Sequence, residues 1–279
     1  MAESAYQVQY RQEFIAGFEQ RQSLLRSMVV TESVIKGNTA TFLIASSGGA
    51  SAVTRGVNGL IPARADSLTQ TSATLAEWHD LVRKSGFNVF ASQGDQRRIM
   101  QETSMAVINR KIDSDIIAQL DAATVDTGAA ATASVSMVAK SLAILGVAEV
   151  DIQDVENMFG VVTPAWWAYM MQTKEFGSGE YVDVKPFNGP VRRMFRWFGV
   201  NWTVHPNLTG VGTSSEKCYV YHRHSLGHAV DTAGLQSPVG YDDEQDYSWA
   251  RCTVFMGSKL LQNSGIVQML HDGSAYVGA

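Results

Sequence analysis

From Asp95 to Gly128 the chain holds neither glycine nor proline, the longest such stretch that also carries a helical apolar pattern. Ile108, Ile112, Ile116 and Leu120 recur every fourth residue, with Ile99, Met105 and Ile117 beside them. Arg97, Arg98, Glu102, Arg110, Lys111 and Asp113 supply the polar positions. That spacing predicts one long helix, and Ser92 precedes Asp95 with the spacing of a capping box. At 1.5 Å per residue, roughly 30 residues extend about 45 Å. A helix longer than the common globular range acts as a spine around which the rest must be arranged.

The 279 residues are 45% apolar, enough for a substantial core in one large domain or two modest ones. A net charge of -5 and a pI near 5.7 argue against a main affinity for phosphate backbones. No apolar run approaches the roughly 20 residues of a bilayer span. Met1 to Tyr10 lacks the basic-then-apolar pattern of a secretion signal. Two cysteines, Cys218 and Cys252, are too few for a disulfide framework, so a reducing compartment is expected.

The segments before the spine lack a core of their own. Residues 1–35 carry balanced charge and a short stripe of Phe14, Ile15 and Phe18, then Leu24 and Leu25. Such a segment lies either on its own domain or as an arm across a neighbour. Thr39 to Ala45 reads as a strand, and a return runs from Thr69 to Lys84, with Trp78 and Val82 on one parity and Leu75 and Leu81 on the other. Between them, Thr54-Arg-Gly-Val-Asn-Gly59, Pro62, Arg64 and Asp66 provide turn chemistry and charge. A projecting two-stranded arm fits this excursion of about 50 residues, and an isolated hairpin, marginally stable in water, needs a partner surface.

After the spine, residues 125–133 read as a linker. A second helix is expected over Ser134 to Val147, with Val135, Val138, Leu142 and Leu145 inward. Met158 to Val162 reads as a short buried strand. Thr163-Pro164 then gives an N-cap and an N1 proline for a helix over Ala165 to Gln172. A turn at Gly177 and Gly179 precedes further strands over Met194 to Val204, Cys218 to Val230, Tyr247 to Met256 and Gly265 to Leu270. No repeat of 20 to 50 residues recurs.

Candidate chemistry is sparse. His222 and His224 would share a face of a strand, with His228 near, so a metal-dependent hydrolase is one alternative, although no H-E-x-x-H or paired C-x-x-C accompanies them. Asp242 to Asp246 departs from a calcium loop at the glycine and final glutamate positions and reads as a solvated turn. No phosphate-binding glycine loop or nucleophile elbow is present. Arg192, Arg193 and Arg196 beside Phe195 and Trp197 support a second alternative, a single-strand nucleic-acid-binding protein, with an arginine-bearing strand face or subunit contact as the plainer reading. Trp166, Trp167, Tyr169, Met170 and Met171 read as core or interface.

In order, then, the chain shows an arm, a two-stranded excursion, a spine helix, an α/β region and closing strands. That order resembles the major capsid proteins of tailed bacteriophages, the Hong Kong 97-type fold. Three phrases resemble the family as well: Thr69-Gln-Thr-Ser-Ala-Thr-Leu-Ala-Glu-Trp-His-Asp80, Val161-Val-Thr-Pro-Ala-Trp-Trp-Ala-Tyr169 and Val220-Tyr-His-Arg-His-Ser-Leu-Gly-His-Ala229. The closing Gly257 to Leu270 looks like the family's return strand.

The resemblance implies an α+β fold with an N-terminal arm (1–35), an extended loop (36–86), a peripheral domain with the spine helix (87–133 and 206–279) and an axial domain (134–205). It also implies a non-enzymatic, cofactor-free subunit of an icosahedral phage head. Such a subunit forms pentamers and hexamers around double-stranded DNA, assembled in the host cytoplasm without a membrane. Expected subunit contacts are Phe14 and Phe18 of the arm, Phe42, Arg55, Arg64 and Trp78 of the loop, and Arg193 and Arg196. A separate scaffolding protein is expected because no scaffold-like domain precedes the arm; a portal, a decoration protein and non-specific contact with packaged DNA complete the partners. Some relatives crosslink through a lysine of the extended loop, and this chain has none between Gly37 and Arg83.

Overall fold

The computed structural model describes residues 22–34, 36–47, 49–64, 67–91, 95–177 and 194–277. A 3-10 turn at Arg26–Met28 leads into β1 (Val30–Val34), and β2 (Thr39–Ser46) and β3 (Ser67–Thr74) form an antiparallel hairpin. Next come β4 (Ala76–Ser85), the short α1 (Gly86–Ala91) and the spine helix α2 (Gln96–Asp121). α3 (Val135–Val147), β5 (Met158–Val162), α4 (Pro164–Met170), α5 (Lys174–Gly177), β6 (Phe195–Trp197) and β7 (Val200–Val204) follow. β8 (Glu216–His222), β9 (Leu226–Asp231), β10 (Val239–Asp242), β11 (Tyr247–Leu260), β12 (Ile266–His271) and α6 (Ser274–Val277) close the chain.

The spine starts at Asp95, whose side chain accepts from the Arg98 N–H at 3.2 Å. Its cap is therefore the residue expected at the third position of the box; Ser92 lies outside the described residues. The buried row is Met100, Ser104, Ile108, Ile112, Ile116 and Leu120, an unbroken i, i+4 series. Met105, expected beside this row, points outward instead. At the far end the Gln268 side-chain amide donates to the carbonyls of Leu120, Asp121 and Ala123 at 3.2, 3.1 and 2.7 Å. A helix C-terminus leaves such carbonyls without partners, and a glutamine from β12 satisfies them here.

Two five-stranded sheets flank this helix. In the first, the order is β1-β9-β11-β10, and β4 pairs along the other edge of β11. The second has the order β12-β8-β5-β7-β6. The buried face of α2 joins a cluster drawn from both, with Cys252, Val254 and Met256 from β11 and Tyr219, Tyr221, Phe159 and Val161 from β8 and β5. Alternate residues of the same strands, Met158, Val162, Cys218 and Val220, enter a second core with α3 and α4. Covered on both faces, β5 is apolar throughout, as a strand of that kind must be. Trp166 of α4 stacks on Trp202 of β7 there, ring centroids 5.0 Å apart.

Three strand expectations change. Ser67–Thr74 pairs with β2, but Ala76–Ser85 leaves the hairpin after Leu75 and pairs with β11, so the return from Thr69 to Lys84 serves two sheets. Met194 to Val204 is a hairpin rather than one strand, because Phe198 and Gly199 both take positive φ, 53° and 75°, and reverse the chain. Cys218 to Val230 breaks at a 3-10 turn over Arg223–Ser225, with β8 in the second sheet and β9 in the first. The expected division at residue 205 also cuts through the second sheet, since β8, assigned beyond it, pairs with β5, and β12 pairs with β8.

Candidate interaction surfaces

The hairpin is seated at its root and bare beyond it. Ala40, Phe42 and Ala73 face inward onto Ala229, with Val30, Val34, Leu75 and Leu261 around them. Two glycines of the sheet make this seat possible. A Cβ on Gly227 would lie 2.7 Å from the Phe42 ring, and one on Gly257 would lie 2.1 Å from the Thr74 carbonyl oxygen. Phe42, expected at a subunit contact, is thus buried within its own chain. On the opposite face Leu43 and Leu68 are exposed, as are Val53, Val57, Leu60 and Ile61 around a turn in which the Gly59 N–H donates to the Gly56 carbonyl. Six large aliphatic side chains exposed on one element make a patch of the kind that marks an interaction site.

Arg55 lies at this turn, where its guanidinium donates to the Gly59 carbonyl at 2.9 Å, and Arg64 is exposed further along. Trp78, expected among the loop contacts, lies beyond the hairpin. It sits on β4, half-buried against the main core, with the Lys111 ammonium 3.9 Å from its ring centroid. Phe14, Phe18 and Arg193, with Arg192, lie outside the described residues. Arg196 is exposed on β6 and donates to the Asn201 side chain at 3.2 Å.

Where the described chain begins, it is tied to the spine. The Asp113 carboxylate accepts from the Ser23 hydroxyl at 2.5 Å and from the N–H groups of Leu24 and Leu25 at 3.0 and 3.1 Å. Consecutive backbone N–H groups form a natural cradle for an anion. His205 completes it, its Nε2 standing 3.3 Å from Asp113 while its Nδ1 accepts from the Asn207 N–H. That second bond places the ring proton on Nε2, facing the carboxylate. Burial works against the charge, yet His205, Leu24, Ser23 and Leu25 outweigh it and hold the Asp113 carboxyl below its usual range. Leu25, Met28 and Val29 then enter the main core, and β1 pairs in parallel with β9. Residues 22–34 thus take the first of the two readings, a segment laid on its own body.

The histidines expected as metal ligands do not converge. His222 Nδ1 accepts from the His224 N–H at 3.3 Å, and its Nε2 stands 3.9 Å from Asp154. Burial, then the neighbouring His224, holds His222 below its ordinary value. His228 faces Ser258 instead, inside the first sheet. Among the described residues no three His, Cys, Asp or Glu side chains gather as a metal would require. Trp197, needed to stack a base, is buried against Phe176 and Trp202. Asp242 to Asp246 forms the β10–β11 turn, Asp242 accepting from the N–H groups of Glu244 and Gln245. Among the described residues no helix is long and apolar enough to cross a membrane.

Sequence reasoning missed the exposed aliphatics. Leu43 and Leu68 carry a signal, since they fall on the parity opposite Ala40 and Phe42 in a paired hairpin. It missed Phe87 and Phe90 of α1 as well, both largely exposed three residues apart.

Residues 2–273 match the sequence model of a family described as phage capsid protein. Solved structures share the architecture. A chain from Mycobacterium phage Che8 is 14% identical, with 96% of this chain and 98% of that one covered at a TM-score of 0.75. The capsid of Ralstonia phage GP4 is 12% identical, with 96% of each chain covered at 0.69. The Cyanophage Pam1 capsid is 13% identical, with 100% of this chain and 99% of that one covered at 0.70. Among curated proteins, none matches this sequence.

Proposed function

This chain belongs to the phage capsid protein family and is a structural subunit of a phage head; from that premise we propose that it builds an icosahedral shell of pentamers and hexamers around double-stranded DNA. The observation that carries this reading is the β2–β3 hairpin, seated on its own body at its root through Ala40, Phe42 and Ala73 and bearing exposed aliphatic side chains beyond. A neighbouring subunit supplies the burial that the monomer lacks, so association and stability are one process. The subunit's charge of -5 suits a wall that encloses DNA without gripping it.

In the proposed organisation the arm of residues 1–35 is rooted on its own body through residues 22–34, and the loop is the hairpin itself. α2 with the first sheet makes the peripheral unit. The second sheet, with α3 and α4, makes the axial unit, so β8 and β12 move there from the expected peripheral return. Phe14, Phe18, Arg55, Arg64, Arg193 and Arg196 remain the proposed contacts. A separate scaffolding protein, a portal and a decoration protein extend the proposal, which rests for them on the family resemblance.

Co-expression with a scaffolding protein, followed by sedimentation and electron microscopy, tests the assembly. Closed icosahedral particles are the expected product. Small monodisperse species under every condition would overturn the reading.

A further inference from the structure

A cavity of about 520 Å³ lies where the described chain begins. Every side chain lining it is polar, two of them are arginines, and none is acidic. Arg26 comes from the 3-10 turn before β1, Thr31 from β1, Asn109 from the spine helix and Arg223 from the 3-10 turn between β8 and β9. Both arginines stand on anchored backbone. The Arg26 N–H donates to the Ser23 hydroxyl at 3.2 Å, and the Arg223 N–H donates to the Asn157 carbonyl at 2.8 Å. The Arg223 Nε also donates to the Val29 carbonyl, at 3.3 Å.

The two guanidiniums keep donors to spare. The Arg26 side chain makes no hydrogen bond or ion pair among the described residues, and neither do the terminal nitrogens of Arg223. The Ser27 and Thr31 side chains, which also line the cavity, are exposed. Asp113, reached through Ser23, is already engaged by Ser23, Leu24, Leu25 and His205. The charge of Arg26 is felt within the fold as well: burial and then Arg26 hold the His228 ring low, against Asp115. A chain with a net charge of -5 thus carries a local positive site.

We propose that this cavity takes the sugar-phosphate backbone of the enclosed DNA, its phosphates on Arg26 and Arg223 and its sugars beside Ser27, Thr31 and Asn109. Arginine, the hydroxyl residues and the side-chain amides are the groups that contact phosphate and sugar without reading sequence. A guanidinium fork also matches a phosphate in geometry. An acidic peptide fits less well, because the centre of a peptide seat is apolar and no apolar side chain lines this cavity. Each copy offers one local grip, and repetition over many copies multiplies it, so the wall can be acidic overall and still hold its contents in place. The inference rests on the reading above that the shell encloses DNA, and it names where the wall touches it.

Full-length dispersed subunits, titrated with a short fluorescent DNA duplex at several salt concentrations, test the cavity apart from assembly. The parent should bind weakly and equally across sequences. Arg26→Gln with Arg223→Gln should weaken binding about tenfold at low salt and reduce the slope of log K against log salt by about 2, one for each lost phosphate contact. Lys174→Gln with Arg251→Gln removes the same charge from exposed positions elsewhere and should change neither. Because Arg223 also holds Val29, a second variant leaves both arginines in place. Ser27→Asp with Thr31→Asp brings carboxylates into the cavity and should abolish binding, with circular dichroism unchanged.

Parent subunits that show no salt-dependent binding, or that bind a polyglutamate peptide as tightly as the duplex, would overturn the proposal. So would a loss in the arginine pair no greater than that in the control pair. Particle formation, scored by microscopy, separates the two readings. If the parent forms closed particles while its duplex titration stays flat, only the role of the cavity falls. If the parent forms no particles under any condition, the shell reading falls, and the cavity as a wall contact falls with it.

Discussion

The Asp113 carboxylate accepts a hydrogen bond from the backbone N–H of Leu25, a residue 88 positions earlier in the chain. Ser23 and Leu24 donate to the same group, so one side chain of the spine holds the whole start of the described chain. Asp113→Ala leaves those donors and the His205 N–H without an acceptor in a buried site. A cost of about 3 kcal/mol is expected, the scale for losing charge-assisted bonds at a buried group. Urea unfolding of dispersed subunits measures it, and hydrogen exchange should rise at Leu24 and Leu25 before the remainder of the fold.

Acid should loosen the same anchor, and the sign follows from the direction of the shift. The folded Asp113 carboxyl titrates below its ordinary value, near 4 for an unfolded aspartate. Its stabilisation is complete above that pH and disappears as the pH falls through the lower, folded value. Protection of Leu24 and Leu25 should persist at pH 5 and vanish only below about 4.

His228 should set a separate loss at milder acidity. Burial, then nearby Arg26, with Asp115 opposing, pushes it down to about 4. The unfolded chain takes up this proton near pH 6.5 and the folded one does not, so stability falls between about 6.5 and 4. His228→Gln should flatten the stability curve of the free subunit across that window. An unchanged slope would remove His228 as its source.

At the hairpin root, Gly257→Ala cannot be absorbed by a flexible neighbour, since the added carbon would meet backbone at Thr74. Phe42→Ala empties the seat on Gly227 instead. Gly257→Ala is expected to cost about 1–3 kcal/mol and Phe42→Ala about 3–5 kcal/mol, each leaving a folded subunit that forms few particles. Circular dichroism and particle counts by microscopy separate these outcomes.

Gln268→Met keeps the shape of the side chain but removes the amide that three carbonyls share at the end of the spine. Buried carbonyls left unpaired cost about 1–3 kcal/mol, so the denaturation midpoint of the free subunit should drop. The Gln268→Glu variant, which brings a negative charge to the negative end of the helix, should drop it further.

Features set by local pattern could be read before folding. The isoleucine row, the Thr163-Pro164 helix start and the buried β5 are each decided by residues within one or two turns of each other. Asp113 shows why the rest could not. On a helix a charged residue defaults to the solvent side, and the donors that overturn this default come from positions 23–25 and 205. The division of β3 from β4 at Leu75 has no turn residue to announce it; only the pairing with β11, far along the chain, reveals it. Phe42 and Trp78 read as candidate subunit contacts for the same reason, as the groups that cover them, Gly227 and Lys111, lie elsewhere in the chain. The hairpin itself was legible because a long excursion lacking a core is a property of the segment alone.

The cap that Gln268 places on the spine has a consequence for timing in the infected cell. The helix leaves the ribosome first, yet its last carbonyls wait for a residue 148 positions beyond Leu120, and β4 waits likewise for β11. Contacts so remote in sequence form late. A nascent subunit thus cannot complete its body, and cannot join a growing wall, until β11 and β12 have emerged as well.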